Sequence, residues 1–452
     1  MIDTHCHIDM SDFDADRAQV MERAAAAGIE ALVAVSSDAA SILKVLELAA
    51  SHKEVYAALG LHPHNSKDFS DDLFDELAVL ARNPKVVAIG ETGLDYHHDH
   101  SPRAVQRAVF ERHAELAQLT ELPLIVHCRE AQTDTLDALK KCGVTNGVLH
   151  CFSGDEAMAR EVVSMGLCIS IAGPVTYKKN DAFREVVRKI PDDYLLLETD
   201  APYLSPVPLR GRRNEPAFIF NTAQVVADVR GVTLEDIQRI TTINAKRLFG
   251  IGRTPREGEI AYKIRNSLYL NVTNRCPNRC SFCVRFKQDY VKGHYLHLLH
   301  EPTIEELKSA VGDPRNYDEI VFCGYGEPLI RLKTVVALSA WLKEKGGIVR
   351  VNTNGQGNLI HGRDILPELN GLVDRISISL DAHDEAAYNR LCLPSQEGAY
   401  GAVLDFIKKA RGTIPDVTVT VVDAHGVDIG KCRAIAEDLG VKFRLRHLDT
   451  VG

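Results

Sequence analysis

Short apolar runs alternate with amphipathic stretches along the whole chain, and this rhythm constrains the fold more than any other feature. Eight runs fall in the first 252 residues: Met1–His5, Ala31–Val35, Val55–Leu61, Val86–Gly90, Leu124–His127, Gly147–His150, Leu167–Ile171 and Leu195–Thr199. Amphipathic segments such as Ala15–Ala27, Ala104–Leu119 and Asp155–Met165 lie between them. Alternation of this kind implies parallel strands joined by crossover helices. Eight such units in about 250 residues is the size of a (β/α)8 barrel. Six further runs follow: Leu268–Thr273, Glu319–Cys323, Ile348–Asn352, Arg375–Leu380, Val417–Val422 and Lys442–Arg446. Helical patterns such as Thr303–Val311, Leu332–Lys345 and Tyr400–Arg411 separate them. The expected class is therefore α/β, with a TIM-type (β/α)8 barrel over 1–252 and an open, partial (β/α)6 barrel over 267–452. Residues 253–266 read as a linker, because the junction holds Gly252, Pro255, Gly258 and several charges after the helix-like stretch Thr233–Leu248.

Composition narrows the partners. A net charge of −9 gives no bulk attraction to nucleic acid or to an acidic membrane, so any such contact must come from a local basic patch. No apolar run approaches the length of a membrane span. The start, Met1-Ile-Asp-Thr-His5, has neither a basic nor an apolar leader region, so no signal peptide is expected. Eleven cysteines, an odd number, suggest a reducing cytoplasm rather than a disulfide framework.

In a barrel of this kind, function collects where strands end. Strand one ends in His5-Cys6-His7, strand four in Gly90-Glu91-Thr92-Gly93-Leu94-Asp95, strand five in His127, strand six in His150 and strand eight in Glu198-Thr199-Asp200. Side chains alternate along a strand, so His5 and His7 share a face while Cys6 points away. The same parity sets Cys128 and Cys151 off the ligand side, as packing. Imidazoles and carboxylates converging on one rim make a site for divalent metals, and two ions about 3.5–4 Å apart can be held there. His5 and His7 are expected on one ion, His127 and His150 on the other, and Glu91 between them. Asp200 ligates a metal or accepts a proton from the attacking water, which makes Glu91 and Asp200 the expected catalytic carboxylates. His62 and His64, in Gly60-Leu61-His62-Pro63-His64, and Arg129 lie on the same rim. Arg210, Arg212 and Arg213 follow Asp200 closely enough to reach a phosphate. These six are the expected substrate contacts. His97, His98 and His100 occupy a polar loop that touches either substrate or solvent.

The runs Asp3–His7, Gly60–His64, Gly90–Tyr96, His127–Glu130, His150–Gly154, Glu198–Leu204 and Arg210–Pro216 resemble the TatD family of metal-dependent hydrolases. The resemblance implies phosphodiester hydrolysis on DNA or RNA, from an end, with two divalent ions (Mg, Mn or Zn) on His5, His7, Glu91, His127, His150 and Asp200. The rival class is an esterase or deacylase, for instance on aminoacyl-tRNA, since metal-activated water also attacks carbonyls.

Cys276-x3-Cys280-x2-Cys283 follows the first strand of the second barrel. Thiolates suit iron–sulfur clusters and zinc. A closed zinc site wants a fourth ligand nearby, and none follows at that spacing. With Phe282 before the third cysteine, the loop resembles the cluster loop of radical S-adenosylmethionine (SAM) enzymes. That resemblance implies a [4Fe–4S] cluster whose open iron binds SAM, reductive cleavage to a 5′-deoxyadenosyl radical, and an electron donor such as flavodoxin or ferredoxin. Gly324-Tyr325-Gly326-Glu327 resembles the family's Gly-Gly-Glu segment, with Tyr325 interrupting the glycines. The expected SAM contacts are Phe282, Gly324, Gly326, Glu327, Asn352, Asn354, Ser377, Ser379 and Asp381. The competing role for the polar strand ends is to cap the following helices. Arg446 or His447 faces substrate or the SAM carboxylate. Cys323, Cys392 and Cys432 read as packing, with Cys392 the first candidate for an exception. For the radical chemistry the open targets are a nucleotide or a peptide; the non-enzymatic alternative is a cluster that senses redox state and regulates the hydrolase.

Overall fold

Ala31-Leu-Val-Ala-Val35 is buried at every position, as a parallel strand must be when both of its faces are covered. Its side chains divide by parity: Leu32 and Ala34 join the larger hydrophobic cluster, Ala31, Val33 and Val35 a smaller one. The other strands of the first unit repeat this pattern. The structure is a computed structural model that describes residues 1–252, 257–286 and 289–447. The chain forms two units, Met1–Arg253 and Thr254–Gly452.

In the first unit eight strands pair in chain order: β1 Ile2–Cys6, β2 Ala31–Val35, β3 Val55–Leu59, β4 Val86–Asp95, β5 Leu124–Arg129, β6 Gly147–Leu149, β7 Cys168–Ile171 and β8 Leu195–Leu197. Every pairing is parallel. The barrel closes just past β8, where Asp200 N–H donates to His5 O at 2.9 Å and His7 N–H donates to Ala201 O at 2.7 Å. Several helices start at polar side-chain caps, among them Asp38, Ser70 and Asp155. Before helix Leu234–Phe249, Thr233 and Asp236 exchange bonds in a capping box.

The second unit holds the six expected parallel strands: β10 Ser267–Leu270, β13 Glu319–Phe322, β14 Val349–Thr353, β15 Arg375–Ser379, β16 Asp416–Val422 and β17 Lys442–Arg446. A seventh strand, β9 Ala261–Ile264, adds antiparallel to β10. It lies within the stretch read as linker. Its alternation of half-buried and exposed residues is weak, and pairing with β10 is what orders it. A two-stranded hairpin, β11 Tyr290–Val291 and β12 His294–Tyr295, was also not foreseen. No helix among the described residues is long and apolar enough to cross a membrane.

Candidate metal centre and cluster loop

Strand ends bring the six expected donors of the first unit together. His5 Nε2 lies 3.3 Å from His7 Nε2, so the two rings of β1 converge across the outward-turned Cys6. Glu91 sits between the four histidines. Its Oε2 is 3.5 Å from His5 Nε2 and 3.6 Å from His7 Nε2, and its Oε1 is 2.8 Å from His127 Nδ1 and 2.7 Å from His150 Nε2. Asp200 Oδ1 closes the far side, 3.8 Å and 3.6 Å from the same nitrogens of His5 and His7. Asp200 adopts φ 55°, an uncommon conformation for a residue with a side chain. Around it, Asp3 accepts from Thr199 N–H at 2.9 Å, and Asn214 donates to Thr199 O at 2.8 Å. Gly93 lets β4 press against β5: a Cβ there would stand 2.1 Å from His127 O, and its φ of 142° suits only glycine. This close approach sets Asp95 beside His127.

The electrostatics follow from crowding. Burial works to raise the Glu91 carboxyl, but His150, His62 and His127 together hold it well below the ordinary range. Burial opposes protonation of His7, yet Asp200 and Glu91 hold its pKa up at about 9. Donor atoms of His5, His7 and Asp200 form one metal-competent group, and those of Glu91, His127 and His150 form another.

The expected substrate residues scatter more widely. His62 is drawn inward, with Nε2 3.6 Å from Glu91 Oε1. His64 is tied to Asp95 Oδ2 at 3.0 Å. Arg129 is exposed and bonds His98 Nε2 at 3.1 Å. Arg210 is exposed and lies over the Tyr177 ring at 4.3 Å, and Arg212 is exposed beside it. Arg213 turns onto the fold instead: it grips Asp16 with both terminal nitrogens at 2.8 and 2.7 Å and donates to Asp12 O. Its place in the sequence did not reveal which way it turns.

In the second unit the cysteine loop has little regular structure and is held by a distant segment. Arg279 N–H donates to Cys392 O at 3.1 Å, Ser281 N–H to Leu391 O at 2.8 Å and Ser395 N–H to Pro277 O at 2.9 Å. Asn278 bonds both Tyr388 and Gln356 beneath the loop. Cys276, Cys280 and Cys283 are all partly exposed. Cys392 is a buried free thiol, and hydrogen bonding with Cys280 pulls the Cys280 pKa down and its own up. Gly326 is needed by its neighbours, since a Cβ there would meet Arg275 O at 2.3 Å. Asn354 Nδ2 reaches Cys276 Sγ at 3.9 Å. Asn352, Ser377 and Ser379 lie half-buried on one face of β14 and β15, with Asn352 opposite Ser377. Phe282 packs against the core. Glu327 differs from the expectation of a side chain facing SAM. It is buried, and its oxygens accept from Leu329 N–H, Thr353 hydroxyl and Asn354 N–H at 3.0, 2.8 and 2.7 Å. Asp381 is likewise buried and caps Val422 N–H at 3.1 Å.

Residues 2–250 match the family described as TatD related DNase. The chain belongs to the TatD related DNase family. Residues 270–439 match the Radical SAM superfamily and form a radical SAM domain. The protein named uncharacterized metal-dependent hydrolase YabD from Bacillus subtilis (strain 168) is 42% identical over 253 residues, spanning 56% of this chain and 99% of that protein. The protein named 3'-5' ssDNA/RNA exonuclease TatD from Erwinia amylovora is 36% identical over 259 residues, 56% of this chain and 100% of its own length. Among solved structures, YJJV, a TatD homolog from Escherichia coli k12, matches with a TM-score of 0.54 and 33% identity over 56% of this chain and 98% of its own.

Two carboxylates of the TatD barrel had been given no role from sequence. Asp95 Oδ2 lies 3.3 Å from His127 Nε2. Glu198 is fully buried, with Oε1 3.4 Å from His150 Nδ1. The signal was present in strand parity: Asp95 shares the parity of Glu91, and Glu198 that of Asp200.

Proposed function

We propose that the TatD barrel is a two-metal phosphodiesterase that trims single-stranded DNA or RNA from an end. The observation that carries the reading is Glu91 lodged between four histidine nitrogens at 2.7–3.6 Å, with Asp200 opposite. The donors fit divalent ions: nitrogen and carboxylate ligands, mostly buried, in overlapping groups that include His5, His7 and Asp200, and Glu91, His127 and His150. His5, His7 and Asp200 would hold one ion, His127 and His150 the other, and Glu91 both. Bound there, such ions would acidify a water and polarise the phosphoryl group that it attacks. Asp200 would take the proton from that water. Arg129 and Arg210, exposed at strand-end loops, bind flanking phosphates. Tyr203, 50% exposed with its ring 6.2 Å from His7, offers a face on which a base can stack. The Erwinia relative named as an exonuclease supports the same substrate class.

In the second domain Cys276, Cys280 and Cys283 would hold a [4Fe–4S] cluster, with SAM on the open iron beside Gly324, Gly326, Asn352, Asn354, Ser377 and Ser379. The cluster, when present, supplies the electron for reductive cleavage of SAM, and a flavodoxin- or ferredoxin-like donor supplies it to the cluster. The described cysteines are all free thiols, which suits a reducing compartment such as the cytoplasm.

The test uses full-length protein loaded with manganese or magnesium and offered end-labelled single-stranded DNA, RNA and an aminoacyl ester. Stepwise shortening of the oligonucleotides is expected. Intact oligonucleotides beside a cleaved ester would replace this reading with the deacylase. Anaerobically purified protein carrying zinc in place of iron and sulfide would end the cluster assignment.

A further inference from the structure

His5 and His150 come from different strands, yet their rings stack in parallel with centroids 4.0 Å apart and 10° between planes. Both turn Nε2 toward Glu91, His5 at 3.5 Å and His150 at 2.7 Å. The two nitrogens of an imidazole leave the ring on different edges, so both Nδ1 atoms point away from Glu91. Both are buried and lack a hydrogen-bond partner. On that side lies Glu198, which is 0% exposed. Its Oε1 is 3.4 Å from His150 Nδ1 and is anchored by Cys151 N–H at 2.6 Å, while its Oε2 is buried and unpartnered. His5, His150 and Glu198 bring donor atoms within 4.8 Å of one another.

Three buried polar atoms left without partners are expensive, and a shared acceptor lowers that cost. His7 Nδ1 bonds Val35 O at 3.0 Å, and His127 Nε2 faces Asp95 at 3.3 Å. Each therefore has a partner on the edge turned away from Glu91. His5 and His150 are the two without one of their own, and Glu198 is a buried carboxylate within 3.4 Å of His150 Nδ1 that groups with donor atoms of both rings inside 4.8 Å. A metal-bound histidine ordinarily donates its second ring N–H to such an acceptor, which fixes the tautomer and the ring direction.

We propose that Glu198 is a shared positioning carboxylate that accepts the Nδ1–H of both His5 and His150 and so aims one ligand at each of the two ions. The proposal rests on the ligand set given above. It deepens that set: one side chain, in contact with neither ion, couples the two sites. Ordering of His5 by the first ion orders Glu198, which in turn orders His150, so the ions bind with positive cooperativity.

The test uses the full chain in Glu198→Gln and Glu198→Ala forms, with cobalt(II) or manganese(II) as probe. Calorimetry counts the ions and their affinities; proton NMR of the cobalt form in H2O and D2O finds the exchangeable imidazole N–H signals. Wild type is expected to bind two ions cooperatively and to show two such signals. Glu198→Gln keeps an acceptor for Cys151 N–H but has one fewer for the rings. It is expected to weaken both ions by about 10–100-fold, to lose the cooperativity and to shift or lose the exchangeable signals. Should Glu198→Ala fail to fold, the isosteric variant carries the measurement alone. Two ions held within about twofold of wild type, signals unchanged, would overturn the proposal. So would weakening of one ion alone, or a third ion that disappears with Glu198, which would make it a ligand. Wild type binding fewer than two ions would instead bring down the ligand set itself, and that is read before any variant is made.

Discussion

Glu91 in the TatD barrel and Glu327 in the radical SAM domain are both buried carboxylates that follow a glycine, one within β4 and one just past β13, and their surroundings drive them in opposite directions. Glu91 is ringed by imidazoles, which overcome burial and hold it ionised far below the ordinary range. Glu327 meets only neutral donors, two backbone N–H groups and the Thr353 hydroxyl. Burial wins there and lifts its pKa from 4.5 to about 7. A carboxylate surrounded by groups that can pair with charge is prepared for cations. One surrounded by neutral amides ties loops together. The two sites look alike in sequence, each a glycine followed by glutamate, and differ in what packs around them.

The comparison can be broken in several ways. Cys280→Ser should abolish the cluster, with iron and sulfide per chain at background, while oligonucleotide hydrolysis by the barrel is unchanged. A fall in hydrolysis would deny that the two sites work as separate chemistries. Glu91→Gln should lower hydrolysis by more than about 100-fold, exceeding the loss ordinarily seen for an outer-shell partner, and cut bound manganese while leaving iron content alone. For Glu327 the folded state keeps an extra proton between its ordinary pKa and about 7. Its contribution to stability is therefore complete below about pH 4.5 and lost as pH rises through about 7, by at most about 3 kcal/mol. Unfolding followed between those pH values should show the decline in the wild type and a flatter profile in Glu327→Gln; equal slopes would refute the assignment. The smallest effects separate two arginines. Arg210→Ala should raise KM for oligonucleotides several-fold and flatten its salt dependence by roughly one phosphate's worth. Arg213→Ala should leave KM alone and cost about 1 kcal/mol or less of stability, as partly exposed ion pairs do.

Strand rhythm carried most of the fold, because parallel strands covered on both faces must be apolar throughout and helices between them must be amphipathic. Parity then placed His5 with His7, and strand ends gathered His127, His150, Glu91 and Asp200. What sequence did not convey was direction after a strand stops. Arg213 folds back onto Asp16 although Arg210, three residues earlier, stays exposed. Glu327 turns under the sheet end into backbone donors that come from Leu329 and Asn354. β9 is ordered by its neighbour β10 and has no strong pattern of its own. Glu198 and Asp95 were quoted in motif runs, but their meaning lies in which imidazole edges they meet, and that depends on ring orientation.

The strap across the cysteine loop has a consequence for how the protein is made. Asn278 is fastened to Tyr388, 110 residues further along, and the loop's backbone leans on Leu391 and Cys392. During synthesis the three thiols leave the ribosome long before the segment that shapes them. Iron and sulfide delivered early would meet a loop without these partners, so a cluster held here would assemble only after Ser395 has emerged, and a chain stalled before that point would carry three unguarded sulfurs.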